Sequence, residues 1–205
     1  MISRWPVDRT AGWLGAAFLV TLLASEAALS LPDELSPAAT VATFYSQHRS
    51  VIIGLQIVGF VSCALLALFA LRLQRIDRGA AVAGVVLAVA ALAPGLVTVA
   101  LAIAADPQNP STADTLNRLE PRGDDLLFIG VTLFAVVVAV RLGRSPLWVG
   151  IVAAVVALTC VLRLALEILG RPRGVLDALA PITFLVLAAG LVWLRFRGYP
   201  RTTTP

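Results

Sequence analysis

Six runs of apolar residues, separated by short polar turns, organise the chain. They fall at about residues 11–30, 50–73, 79–104, 124–142, 146–169 and 175–194. At ~1.5 Å per residue, a run of ~20 residues crosses the ~30 Å hydrocarbon core of a bilayer. A backbone in lipid must satisfy its hydrogen bonds internally, so these runs predict helices. No segment shows the strict polar–apolar alternation of a barrel strand. The pattern therefore predicts an all-α polytopic membrane protein, a bundle of six transmembrane helices in a single domain over residues 1–205.

The polar intervals add detail. In SPAATVATFYSQHR (36–49), Ser36 is placed to cap a helix and Pro37 to open it, and Val41, Phe44, Tyr45 and His48 follow at three- and four-residue spacing. This predicts a short external interfacial helix between the first and second spans. The interval DPQNPSTADTLNRLEPRG (106–123) is polar and rich in Pro, as suits a partly structured external cap. Pro94 and Gly95 should bend the third span. Ala80, Gly84 and Ala88 form a small-residue stripe for close helix contact, and Gly12 with Ala16 a weaker one.

Composition agrees with the pattern. Hydrophobic residues make up 59% of the chain, charged residues 14%, and the mean hydropathy is +0.92, well outside the range of a soluble domain. All 16 basic residues are Arg. They lie in ones and twos at the ends of apolar runs rather than on one face, so they encode topology and exclude nucleic acid as a partner. With the N-terminus inside, ten arginines fall on the cytoplasmic side and five outside, with Arg171 and Arg173 discordant. The expected location is the cell membrane, with both termini cytoplasmic. Arg4 and Arg9 before the first run, and Ser25-Glu26-Ala27 after it, leave a cleaved leader as the alternative. The run continues to Leu31 and favours a retained helix. Cys63 and Cys160 fall at different depths and are not expected to form a disulfide.

The hairpin beginning ALRLQRIDRGAAVAGVVLAVAAL at Ala70 parallels AVRLGRSPLWVGIVAAVVAL at Ala139. Aligning them sets Arg163 opposite Val97 and Glu167 opposite Leu101, so the charges belong to the second hairpin alone. The stretch FYSQHRSVIIGLQIVGFVSCALLALFALRLQR, with the Pro146-x-Trp148-x-Gly150 turn further along the chain, resembles a family of polytopic actinobacterial membrane proteins defined as a domain of unknown function. The resemblance implies the architecture and no activity, cofactor or catalytic residue.

Candidate chemistry is confined to ionisable groups inside the spans, where an Asp or Arg at a helix centre costs about 2.5–3.5 kcal/mol. Arg163 and Glu167 stand four residues apart in the fifth run and can pair on one helical face. Counting depth sets Glu26, Gln56, Asp125 and Asp177 at the same external level, with His48 at the outer entry of the second span. Together they outline an outward-facing polar pocket. Each also has a purely structural reading, as a wetted interfacial group or a packing ion pair.

Three functions compete. The first is binding of a hydrophobic or amphiphilic small molecule, or of a membrane partner, by Arg163, Glu167, Gln56, His48 and Asp125. The second is an enzyme acting on an isoprenoid or lipid, with Glu26 or Asp177 as a general acid in the manner of membrane terpene cyclases. The third is a small transporter or channel subunit. There is no phosphate-binding glycine loop, HExxH, nucleophile elbow or CxxC, and the Asp124-Asp125 pair is too slight to hold magnesium diphosphate. No metal or cofactor is therefore expected, and the surrounding partner is membrane lipid.

Overall fold

The structure is a computed structural model that describes residues 7–27, 29, 31–32, 36–143 and 146–198. Its helices are α1 (Arg9–Ala27), α2 (Ala38–Gln47), α3 (Arg49–Leu73), α4 (Arg78–Ala90), α5 (Leu92–Ala104), α6 (Ser111–Asn117), α7 (Glu120–Arg141), α8 (Leu147–Ile168) and α9 (Leu176–Arg197). Among the described residues there is no strand. Among the described residues, five segments are long and apolar enough to cross a membrane: α3, α4 with α5, α6 with α7, α8, and α9. The bundle's outward faces carry Val20, Ile57, Val89, Leu158 and Ile182, each more than half exposed. So much exposed apolar surface suits lipid rather than water.

The long helices close into a ring. α1 packs on α3, α3 on α4, α4 on α7, α7 on α8, α8 on α9, and α9 returns to α1. Phe18, Leu66, Phe69, Leu87, Phe134 and Leu187 are among its buried core residues. Small residues set the tightest crossings, as the Ala80-Gly84-Ala88 stripe predicts. A Cβ on Gly84 would lie 2.6 Å from the Ala70 Cβ and 3.3 Å from the Phe134 ring.

Regular helix is interrupted for one residue in the third apolar run. Pro94 sits in the first turn of α5 and has no N–H to offer the Ala90 carbonyl, so regular helix stops at Ala90 and restarts at Leu92. The discontinuity lies a few residues before the expected Pro94–Gly95 bend. α7 crosses there in close contact, since a Cβ on Gly123 would lie 2.9 Å from the Pro94 Cα. α7 also begins at Glu120 rather than Asp124, and the polar interval before it contains α6.

α2 forms where the 36–49 pattern predicts a helix, but Pro37 is its N-cap rather than its first helical residue. Its stripe faces protein. Val41, Ala42 and Tyr45 are buried with Ile52, Leu101, Ala102 and Ala113 in a second core between α2, α3, α5 and α6.

The turn between α8 and α9 shapes the polar end of the bundle. α8 ends with Gly170 at φ +62°, the Gly170 N–H donating to the Glu167 carbonyl and the Arg171 N–H to the Leu166 carbonyl. This Schellman arrangement needs a left-handed residue, which glycine adopts without a Cβ clash. It reverses the chain within a few residues and delivers Arg173 back toward the end of α8.

Candidate functional site

The start of α7, the end of α8 and the start of α9 meet at the end of the bundle that carries most of the acids. Arg163 is at the centre, only 3% exposed. Its Nε donates to Asp177 Oδ1 at 3.0 Å. Its Nη1 lies 3.7 Å from Asp125 Oδ1, and its guanidinium sits 3.9 Å from the centroid of the Phe128 ring. Asp125 and Phe128 are three apart on α7, so one helical face presents both a carboxylate and a π surface to the same cation.

The network extends on both sides. Arg173 Nε lies 2.6 Å from Glu167 Oε2 and its Nη1 3.8 Å from Asp177 Oδ1. Arg122 Nη1 lies 3.5 Å from Asp125 Oδ2. The result is an alternating chain of charge running Arg122, Asp125, Arg163, Asp177, Arg173, Glu167. Arg163 lies against two carboxylates, Asp125 and Asp177, which is how a buried arginine is tolerated in an apolar bundle. The expected pairing of Arg163 with Glu167 is thus corrected. Arg163 turns to α9 and α7, and the glycine turn supplies Glu167 with Arg173 instead.

Pairing is close but incomplete. Arg163 Nη1 and Asp125 Oδ1 are both buried and make no hydrogen bond within the structure. The remaining polar candidates divide. Glu26, at the exposed end of α1, lies within electrostatic reach of Asp124, which also feels Arg163 and Arg173. Gln56 turns elsewhere, its Oε1 against Gly95 of α5, where a Cβ would come within 2.8 Å. His48 marks the joint of α2 and α3, its Nδ1 3.0 Å from the Phe44 carbonyl oxygen and its ring stacked on Phe44 at 4.5 Å. The structure therefore assembles Arg163, Glu167, Asp125 and Asp177, brings Glu26 near through Asp124, and leaves Gln56 and His48 outside.

Beside this network, Arg49 caps the end of α5. Its Nε donates to the Ala102 carbonyl at 2.8 Å and its Nη2 to the Ala105 carbonyl at 3.1 Å, a favourable place for a cation at a helix C-terminus. Thr98 Oγ1 lies 3.2 Å from Glu120 Oε1. The Tyr45 hydroxyl is buried without a hydrogen-bond partner among the described residues. Burial, reinforced by the Glu120 charge, pushes its phenol above the ordinary value of 10.0.

The opposite end carries a second buried arginine that sequence reasoning missed. Arg195 of α9 is 0% exposed, and its Nη2 donates to Asp8 Oδ2 at 2.9 Å. Asp8 also caps α1, accepting the Ala11 N–H at 3.0 Å, and Arg75 lies 3.5 Å from the same Oδ2. The only signal in the chain was an Asp one residue before the first helix and an Arg in the last turn of the last. Of the cysteines, Cys160 is buried, Cys63 half-buried, and both are free thiols.

Among the described residues, no group of three His, Cys, Asp or Glu side chains is arranged to hold a metal ion. No family model, curated protein or solved structure matches the chain. The site itself carries the functional reading.

Proposed function

We propose that this chain is a multi-pass protein of the cell membrane that binds the polar head of a hydrophobic or amphiphilic small molecule in its external leaflet. In this reading α1 is a sixth span, α2 lies at the external interface, both termini are cytoplasmic, and the charge network faces outward. The arginine bias supports the orientation. The observation that carries the binding role is the Arg163–Asp125 contact. A buried donor and a buried acceptor face each other at 3.7 Å with hydrogen-bonding capacity unused, and leaving such groups unmet is costly. A ligand offering both an acceptor and a donor would complete them. The surrounding apolar helices would take its tail.

The alternatives fare less well. Asp177 Oδ1 already accepts from Arg163 and faces Arg173, which counts against it as a general acid toward an isoprenoid. Glu26, which has no ion pair among the described residues, is the acid that reading would have to use. A transporter needs polar groups along its path. Among the described buried residues the charged side chains are Arg163 and Arg195, one at each end, and the buried polar groups between them, such as Ser62 and Thr159, are uncharged hydroxyls.

The test is native mass spectrometry of protein extracted from its own membrane. A bound small molecule should accompany the wild type and be lost from Asp125→Asn, which keeps the side-chain shape. No accompanying mass in the wild type, or equal retention by the variant, would sink the proposal. Cysteine labelling of Ser46→Cys from outside and Arg75→Cys from inside checks the orientation.

A further inference from the structure

A cleft of about 470 Å³ opens between α4 and α7 at the end of the bundle opposite the charge network. Its walls are two matched stripes. On α4, Arg78 is followed at four-residue spacing by Val82 and Val86, and on α7, Arg141 is preceded at the same spacing by Val137 and Leu133. Residues four apart share a helical face, so each wall is cationic at the mouth and apolar for about 12 Å below it. Val82, Val86 and Leu133 are 57%, 43% and 45% exposed, leaving the trough open to the surrounding medium.

The charges at the mouth are not balanced. Arg141 Nη1 lies 3.5 Å from Asp77 Oδ2, while the other oxygen of Asp77 accepts the Ala80 N–H at 2.8 Å as the cap of α4. No carboxylate among the described residues pairs with Arg78. Two guanidiniums thus face one carboxylate, an excess of one positive charge. Gly79 keeps the entrance open, since a Cβ there would lie 3.1 Å from Arg141 Nε.

We infer that this cleft is a binding site for an anionic glycerophospholipid. Its phosphate lies between Arg78 and Arg141, and an acyl chain runs along Val82, Val86, Leu133 and Val137. The charge complementarity selects the anionic headgroup, and the apolar trough selects a lipid over a free anion. The site rests on the membrane reading but not on the external ligand, which is bound at the other end. Basic clefts between helices on the cytoplasmic side hold anionic headgroups by this combination.

The experiment titrates detergent-purified protein with dioleoyl phosphatidylglycerol or dioleoyl phosphatidylcholine and counts bound lipids by native mass spectrometry. Wild type should prefer the anionic lipid by on the order of tenfold. Arg78→Ala should remove most of that preference, and Val82→Trp, which fills the trough, should weaken binding of the anionic lipid. Arg118→Ala, an exposed arginine in α6's flank, should leave both unchanged. Among the described residues Arg78 has no carboxylate partner to lose, so its substitution bears on binding more than on folding. Equal binding of the two lipids, unchanged binding by both cleft variants, or displacement of the lipid by an equal concentration of inorganic phosphate would overturn the assignment.

Discussion

Arg163 donates to Asp177 across fourteen residues of chain, at 3.0 Å, although Glu167 lies only one helical turn away on its own helix. The choice of partner is set by the α8–α9 turn, which brings α9 alongside the guanidinium and leaves Glu167 to Arg173.

Replacing Arg163 by Met should destabilise the protein by about 3–5 kcal/mol, because Asp125 and Asp177 would lose the cation they share. Adding Asp177→Asn should recover part of the loss. A double-mutant cycle followed by unfolding in detergent should give a coupling of about 1–3 kcal/mol. Strict additivity would show that the two groups do not sense one another.

Acid should expose the Asp8 clamp. The Ala11 amide holds this carboxyl below the ordinary value of 3.8 against the opposing effect of burial, with Arg195 and then Arg75 adding to the depression. The unfolded chain takes up the proton first as pH falls, so stability due to Asp8 is complete above 3.8 and is lost as pH drops through the lower folded value. The stability gap between wild type and Asp8→Asn should be level near neutrality and close below pH 3.8. A gap independent of pH would contradict this.

Tyr45→Phe should be neutral or slightly stabilising. The hydroxyl is buried without a hydrogen-bond partner among the described residues, so the substitution removes an unmet polar group and keeps the ring packed. In alkali the wild type should also lose stability as pH rises past 10.0, because the unfolded phenol ionises before the folded one. Thermal melts of both proteins from neutral to alkaline pH would show whether that loss disappears in the variant.

Glycines in apolar helices are not equivalent. Gly84→Ala should cost about 1–3 kcal/mol by forcing α3 and α4 apart, whereas a Cβ on Gly54 meets nothing within 4 Å. Gly54→Ala should therefore gain slightly from helix propensity. Similar melting shifts in the two variants would argue against close α3–α4 packing.

What the sequence revealed depended on how local the cause was. The long apolar segments appear as runs, and Arg163 appears as a charge where none should be, because both are properties of one helix. Its partners were hidden, since helix rotation is unmarked in such uniformly apolar spans and Glu167 was nearer in sequence. Arg173 stood out only as an arginine on the less basic side. Its contacts with Glu167 and Asp177 supply a local reason for that position. Gln56 and His48 matched the depth of the network but not its direction, because depth fixes height along a helix and not azimuth. Asp8 and Arg195 each resemble an ordinary flanking charge, and only closure of the ring shows that they meet.

That closure has a consequence for biosynthesis. Asp8 precedes Arg195 by 187 residues, an interval that takes a ribosome about 10–40 s at roughly 5–20 residues per second. Once α3 is made α1 can pack on it, but its other neighbour in the ring is still missing. The arrival of α9 supplies that neighbour and fixes α1 in the ring, so a contact between helices far apart in the chain completes the bundle.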